Sequence, residues 1–355
     1  MMDQPGTPYL ALDLDAFEAN VARMAGTILG AGKRWRPHVK AIRSPVLARQ
    51  LIAAGAHGVT CSSVTAASQM VAAGIGDVLI ATEVVGETNW RQLAELNRQA
   101  RVYCATDSLW HAGQVAAAGR AAGTTIPLLI EIEVGLRRAG VVAAEAPALF
   151  AGIETLDGVS AAGVMAWEGH TTTIADPADK ARAVAAAVGL LTDAADRCRA
   201  AGYPVDIVSC GGTGTYPFSS RIDGVTEIQA GGGVFGDERY RTEFHIDLDT
   251  ALTLVTTVLS RPTPTRIVCD AGWKATGCHP SQSRPVLPAN PTRLAWSAEH
   301  LTIECSDPDE ISPIRPGDRL TLRLGDADAT VFLHRRLWTF RGGALCSCLP
   351  LPDNG

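Results

Sequence analysis

No run of basic residues interrupts this chain of 355 residues. Its 31 Lys and Arg are outnumbered by 37 Asp and Glu, for a formal charge of -6, and Arg34-Trp35-Arg36 is too short to form a binding patch. That balance argues against a nucleic-acid or other polyanionic partner. The longest apolar runs contain glycines and fall short of a membrane span. Met1-Met2-Asp3-Gln4-Pro5-Gly6 has no positive region followed by an apolar run, so it does not read as a secretory signal. The nine cysteines are odd in number and scattered, at Cys61, Cys104, Cys198, Cys210, Cys269, Cys278, Cys305, Cys346 and Cys348. Cys346-Ser347-Cys348 is the tightest pair and lacks two further soft ligands at zinc-knuckle spacing. A reduced, cytoplasmic protein is the expectation. What remains is 46% apolar and 19% charged, the composition of a folded soluble chain with one large domain and a smaller one.

From Asp15 to about Ile228, short apolar runs alternate with alanine-rich helical stretches. The first helix is expected near Asp15, capped by its carboxylate, with Phe17, Val21 and Met24 on the buried side. Eight candidate strands follow: 35–40, 58–61, 78–81, 101–104, 127–133, 162–166, 206–209 and 226–229. Amphipathic segments such as 45–54, 64–73 and 179–201 lie between them. Eight strand-helix repeats over about 215 residues have the rhythm of a (β/α)8 barrel. A doubly wound sheet is the rival reading, but it gives no reason for glycine-rich turns after the last two strands. Past Phe244 the pattern becomes β-rich, with candidate strands at 251–259, 265–269, 301–304, 319–324 and 331–333, and Pro316-Gly317-Asp318 as a turn. The predicted organisation is a TIM-like barrel over 15–244 and a smaller β-rich domain over 245–355, joined by the N-terminal strand 7–14.

Within that frame Lys40 ends the first barrel strand, and Gly211-Gly212-Thr213-Gly214 and Gly231-Gly232-Gly233 follow the seventh and eighth. A lysine there can condense with an aldehyde, and glycine nests can hold a phosphate. Pyridoxal phosphate needs both. On the residues alone, Lys40 could instead pair with an acid at a strand end, and the glycine loops could be tight turns.

The motifs extend this reading. They are Thr7-Pro8-Tyr9-Leu10-Ala11-Leu12-Asp13-Leu14-Asp15, Arg36-Pro37-His38-Val39-Lys40, Gly58-Val59-Thr60-Cys61 and Glu131-Ile132-Glu133-Val134-Gly135. They continue as Gly163-Val164-Met165-Ala166-Trp167-Glu168-Gly169-His170, Ser209-Cys210-Gly211-Gly212-Thr213-Gly214-Thr215, Glu227-Ile228-Gln229-Ala230-Gly231 and Asp270-Ala271-Gly272-Trp273-Lys274. In this order, across nearly the whole chain, they resemble the fold-type III pyridoxal-phosphate enzymes, and within them the D-threonine aldolase and D-serine dehydratase family.

The resemblance implies a role for each candidate. Lys40 is the Schiff-base lysine. Gly211, Gly212 and Thr213, with Gly231 and Gly232, hold the phosphate; Ser209 and Gln229 join the cofactor-binding set. Arg138 lies beside the cofactor ring, where a permanent cation holds the phenolate oxygen. Trp167 is either near the ring or in the barrel core. His170 takes the proton of a substrate β-hydroxyl, the step that starts retro-aldol cleavage; a loop histidine is the plain alternative. Relatives carry Pro-Asn-His-x-Cys or Pro-Asn-His-x-Asp near the C-terminus as a metal element. Here the stretch is Leu324-Gly325-Asp326-Ala327-Asp328, with Asp326 in place of the histidine. Asp326 and Asp328 would form an oxygen-only site suited to Mg²⁺ or Mn²⁺ rather than Zn²⁺, or belong to a surface turn. The implied activity is aldol cleavage of D-β-hydroxy-α-amino acids. The alternatives are dehydration as in D-serine dehydratase, racemisation or epimerisation, and a non-catalytic pyridoxal-phosphate protein. The implied assembly is a homodimer in which the β-domain completes the partner's site.

Overall fold

The computed structural model describes residues 5–279 and 283–352. Contacts divide the chain into two compact units. One runs from Ala22 to Gly231; the other combines the segment through Val21 with the segment from Gly232 onward. The division falls inside the first helix, Leu14–Gly30.

The continuous unit is a parallel barrel. Its strands are Arg34–Trp35, Val59–Cys61, Asp77–Glu83, Arg101–Thr106, Ile126–Glu131, Val159–Met165, Ile207–Cys210 and Glu227–Ile228. Seven fall on the stretches expected from the sequence; the first meets its expected range, 35–40, only at Trp35, and Lys40 lies in a turn beyond it. Each pairs in parallel with its neighbour from the second strand to the eighth, and Arg34–Trp35 pairs with Glu227–Ile228. A parallel bridge between His38 and Thr60 joins the first strand's continuation to the second, closing the ring. The interior is packed rather than hollow: Leu79, Tyr103, Ala105, Leu129, Met165 and Ile207 form one buried cluster. Burying each large aliphatic side chain is worth about 1.5–3 kcal/mol.

The helices between the strands start at side-chain caps. Ser44, Ser63 and Ser108 each accept from the backbone N–H three residues on, and Asp176 accepts from Ala178 and Asp179. Asp176 is followed by Pro177 at the first helical position, where proline's missing N–H costs nothing. The first helix differs from expectation. Asp13 accepts from the N–H groups of Asp15 and Ala16 at 2.9 and 3.3 Å. Asp15 instead receives Arg341 Nη1 at 2.7 Å. The cap therefore lies two residues earlier, at the end of a strand.

The second unit is built on a mixed sheet. Tyr9–Asp13 pairs antiparallel with Leu252–Thr263 and parallel with Arg336–Arg341. Leu252–Thr263 also pairs with Arg319–Arg323 and Arg266–Cys269, and Leu301–Glu304 adds to the latter. Pro262 lies within the long strand. The expected strand at 331–333 is not one: a short helix, Ala327–Val331, occupies that region, capped by Asp326. The strands after it, Arg336–Arg341 and Ala344–Pro350, pair antiparallel and were not anticipated.

Candidate active site

The C-terminal ends of the barrel strands carry the candidate residues of this unit; Gly232, Asp326 and Asp328 lie in the other. Lys40 is exposed two residues past the His38–Thr60 bridge. Burial pushes the His38 imidazole down to about 3, and the charges of Lys40 and Arg138 push it the same way. His38 is thus held neutral, and two cationic side chains from different strand ends, Lys40 and Arg138, share its neighbourhood.

Arg138 comes from a constrained loop. Gly135, Arg137 and Gly140 have φ of 119°, 58° and 104°, a left-handed sequence of turns that brings Arg138 back to its own strand. There its Nη2 lies 3.3 Å from Glu131 Oε1. Glu131 is buried at the end of Ile126–Glu131, and desolvation, then the like charge of Glu83, raises its carboxyl to about 7; Arg138 pulls the other way. Glu83 ends the strand Asp77–Glu83 and also hydrogen-bonds Glu131. His170 packs on the same loop. A Cβ at Gly135 would meet the His170 ring at 2.8 Å, so glycine is required there by both conformation and space.

The glycine loops emerge side by side, because Ile207–Cys210 and Glu227–Ile228 are paired with Ser209 opposite Glu227 and Cys210 opposite Ile228. Trp167 lies against the first loop: a Cβ at Gly212 would fall 2.3 Å from its ring. Beneath that loop is Glu168, fully buried. Its carboxylate accepts from Gly211 N at 3.3 Å, Thr215 Oγ1 at 2.7 Å and Ser219 Oγ at 2.5 Å. One side chain between Trp167 and His170 therefore ties the sixth strand's loop to the seventh's. Gly231 packs against His38, whose backbone oxygen would lie 2.3 Å from an added Cβ. Gly232 falls in the other unit, where a Cβ would meet the Tyr240 hydroxyl.

Ser209 and Gln229 belong to a polar column inside the barrel. Gln229 Nε2 donates to Ser209 Oγ at 2.9 Å, and Ser209 donates to Glu227 Oε1 at 2.8 Å. Glu227 also meets Arg36 Nε and His57 Nε2, each at 2.9 Å. Despite a large desolvation opposing it, these partners hold the Glu227 carboxyl down to about 2. Arg36 reaches Asp77 as well, and stacks over Tyr103 at 5.1 Å. A cavity of about 760 Å³, lined by Arg34, Arg101, Tyr103 and Asp206 among others, lies at the N-terminal strand ends and carries none of the candidate residues.

Comparison with known proteins decides the lineage. The family described as "Alanine racemase, N-terminal domain" matches residues 12–239, and "Putative serine dehydratase domain" matches 251–340. The chain is 33% identical over 347 residues to a D-threonine aldolase of Arthrobacter sp, covering 96% of this chain and 90% of the relative. It is 36% identical over 277 residues to a D-threo-3-hydroxyaspartate dehydratase of Delftia sp. (strain HT23), covering 76% and 72%. The crystal structure of a D-threonine aldolase from Filomicrobium marinum superposes with a TM-score of 0.93 at 30% identity, covering 98% of this chain and 95% of that one. This chain belongs to the fold-type III pyridoxal-phosphate enzymes. Within that superfamily it is related to both aldolases and dehydratases.

The barrel's donor set fits the cofactor of a fold-type III enzyme. Gly214 and Gly231 are buried, and among the described residues nothing accepts a hydrogen bond from their N–H groups. Buried orphan donors are rare, and two of them on adjacent glycine loops suit a phosphate. A divalent metal fits less well. Asp326 Oδ1 accepts from Ala329 N at 2.8 Å and Oδ2 from Arg239 Nη1 at 2.8 Å. No group of three or more His, Cys, Asp or Glu among the described residues is arranged to hold a metal ion.

Sequence reading had not singled out Glu168, Glu131, Glu83 or Arg239. Glu131 and Glu168 lie inside the sequence motifs, and only their burial beside Arg138 and the glycine loop reveals what they do. Arg239 had no motif to mark it.

Proposed function

We propose that this enzyme is a carbon-carbon lyase that cleaves D-β-hydroxy-α-amino acids, in the manner of a D-threonine aldolase, to glycine or another small amino acid and an aldehyde. The observation that carries the reading is His170 packed on the Gly135 turn of the loop that presents Arg138. That contact sets an imidazole beside the cationic corner of the site while leaving it exposed, where it can receive a hydroxyl proton. The likeness to the Arthrobacter D-threonine aldolase over 96% of the chain supports it.

Pyridoxal phosphate, when bound, supplies an electron sink for the pair released onto Cα as a bond to it breaks. In this proposal Lys40 Nζ holds it covalently. The backbone N–H groups of Gly214 and Gly231 would hold its phosphate, with Gly211, Gly212 and Thr213 shaping the first loop around it. Arg138, anchored by Glu131, would supply a fixed positive charge to the cofactor. Trp167 would pack beside the cofactor at Gly212, and Ser209 with Gln229 would help hold it. His170 would take the proton from the β-hydroxyl as the Cα–Cβ bond breaks and the aldehyde leaves. A homodimer in a cytoplasmic setting completes the proposal; the nine cysteines are free thiols, as a reducing compartment requires.

Dehydration is the second reading, favoured by the 36% identity to the Delftia dehydratase. Incubation with D-threonine, D-phenylserine, D-serine and D-3-hydroxyaspartate separates the two. Glycine plus aldehyde supports the lyase. Ammonia plus a keto acid in their place overturns it. Light scattering on the purified holoenzyme tests the dimer.

A further inference from the structure

We infer that the guanidinium of Arg239 takes the place of a divalent cation at Asp326, so that this unit carries a fixed organic cation there and binds no metal. Asp326 is 6% exposed, and both of its oxygens are engaged. Oδ1 caps the helix Ala327–Val331 through Ala329 N, and Oδ2 receives Arg239 Nη1 at 2.8 Å. A hard cation bound to Oδ2 would sit about 2.0–2.6 Å from it. It would then share one oxygen with a guanidinium that never loses its proton. Two like charges that close, partly shielded from water, repel strongly.

Arg239 is not poised to swing aside. It rises from the helix Glu238–Thr242, its Nε lies 3.5 Å from Glu243 Oε2, and its guanidinium stacks over Phe244 at 4.9 Å. Carboxylate, neighbouring acid and aromatic face fix it from three sides. The exchange at this position is chemically paired. An imidazole at 326 would offer a metal a neutral ligand and would gain nothing from an adjacent guanidinium. A carboxylate at 326 needs a cation, and Arg239 provides one within the chain.

The binding half of this inference is independent of the reaction; only its catalytic half, turnover without a divalent ion, rests on the lyase reading. Purified holoenzyme would be dialysed against a chelator, analysed for metals, and titrated calorimetrically with Mn²⁺ and Zn²⁺. The expected result is well below one equivalent per chain before dialysis, no saturable heat, and an unchanged thermal midpoint and turnover. About one equivalent, removed by the chelator with a fall in thermal midpoint, overturns the inference. The double variant Arg239→Ala, Asp326→His should gain saturable binding at least about tenfold tighter than the parent, a change of roughly 1.4 kcal/mol. Failure of a folded double variant to gain it shows that Arg239 is not what excludes the metal. Should it not fold, the parent's titration still decides. Absence of turnover with every D-amino acid would sink the lyase reading and leave the calorimetry standing.

Discussion

Replacing Glu168 with alanine removes one carboxylate from under the first glycine loop, and the loss can be followed donor by donor. Thr215 Oγ1 has a second acceptor in Gly212 O at 3.4 Å, and Ser219 Oγ has one in Thr215 O at 3.2 Å. Both hydroxyls exchange a charged acceptor for a weaker neutral one. Gly211 N has no second acceptor, so a buried N–H is stranded at a cost of about 1–3 kcal/mol. With the two weakened bonds the total is about 3 kcal/mol. If this falls on the loop, the dissociation constant for pyridoxal phosphate rises by about 100-fold. Glu168→Gln keeps an oxygen for the hydroxyls but turns a donor toward Gly211, so roughly a tenfold loss is expected. Apoenzyme titrated with pyridoxal phosphate, followed by tryptophan fluorescence, gives these constants, and urea denaturation gives global stability. At saturating cofactor, turnover should return to near the parent value, as befits a positioning residue. The carboxylate's own charge opposes a phosphate nearby. Tighter binding in Glu168→Gln, or an unchanged constant in Glu168→Ala alongside a lower urea midpoint, would refute the reasoning.

Lys40→Ala should abolish the near-visible absorption of the bound cofactor and lower turnover by orders of magnitude; a variant keeping both would remove Lys40 from the chemistry. His170→Gln should lower kcat/KM for the best β-hydroxy substrate by about 10²–10⁴ while cofactor affinity holds, and unchanged kcat/KM would return it to a loop histidine. Glu131 titrates at about 7 in the fold against an ordinary 4.5. Its contribution to stability is therefore fully present below pH 4.5 and lost as pH rises through 7. Glu131→Gln should remove up to about 3 kcal/mol of that decline between pH 5 and 8, and urea midpoints that fall in parallel for parent and variant would show that the carboxyl is not raised.

The barrel was legible because its signals are local. Apolar runs such as Val78-Leu79-Ile80 and the serines before Pro45, Val64 and Leu109 act over a few residues, and the structure uses them where the sequence places them. The segment 331–333 misled because Val331, Phe332 and Leu333 look like a strand by composition. Asp326 overrides that propensity by capping a helix. Asp15 offered a helix cap as good as Asp13; only the strand ending at Asp13 decides between them. Glu168 and Arg239 were illegible for another reason. Their partners lie 43–51 and 87 positions away, and no spacing within the sequence announces such encounters.

The strand Tyr9–Asp13 has a consequence for biosynthesis. It is translated long before its partners, Leu252–Thr263 and Arg336–Arg341, and Thr7 Oγ1 donates to Asp270 Oδ2, 263 positions on. All of the barrel strands are translated in between. The barrel unit can therefore close while this strand still has no partner, and the mixed sheet is completed only after the barrel. A premature stop between the last barrel strand, Glu227–Ile228, and Leu252 would leave a finished barrel attached to an orphaned apolar strand, with the unpaired edge that quality control and aggregation both recognise.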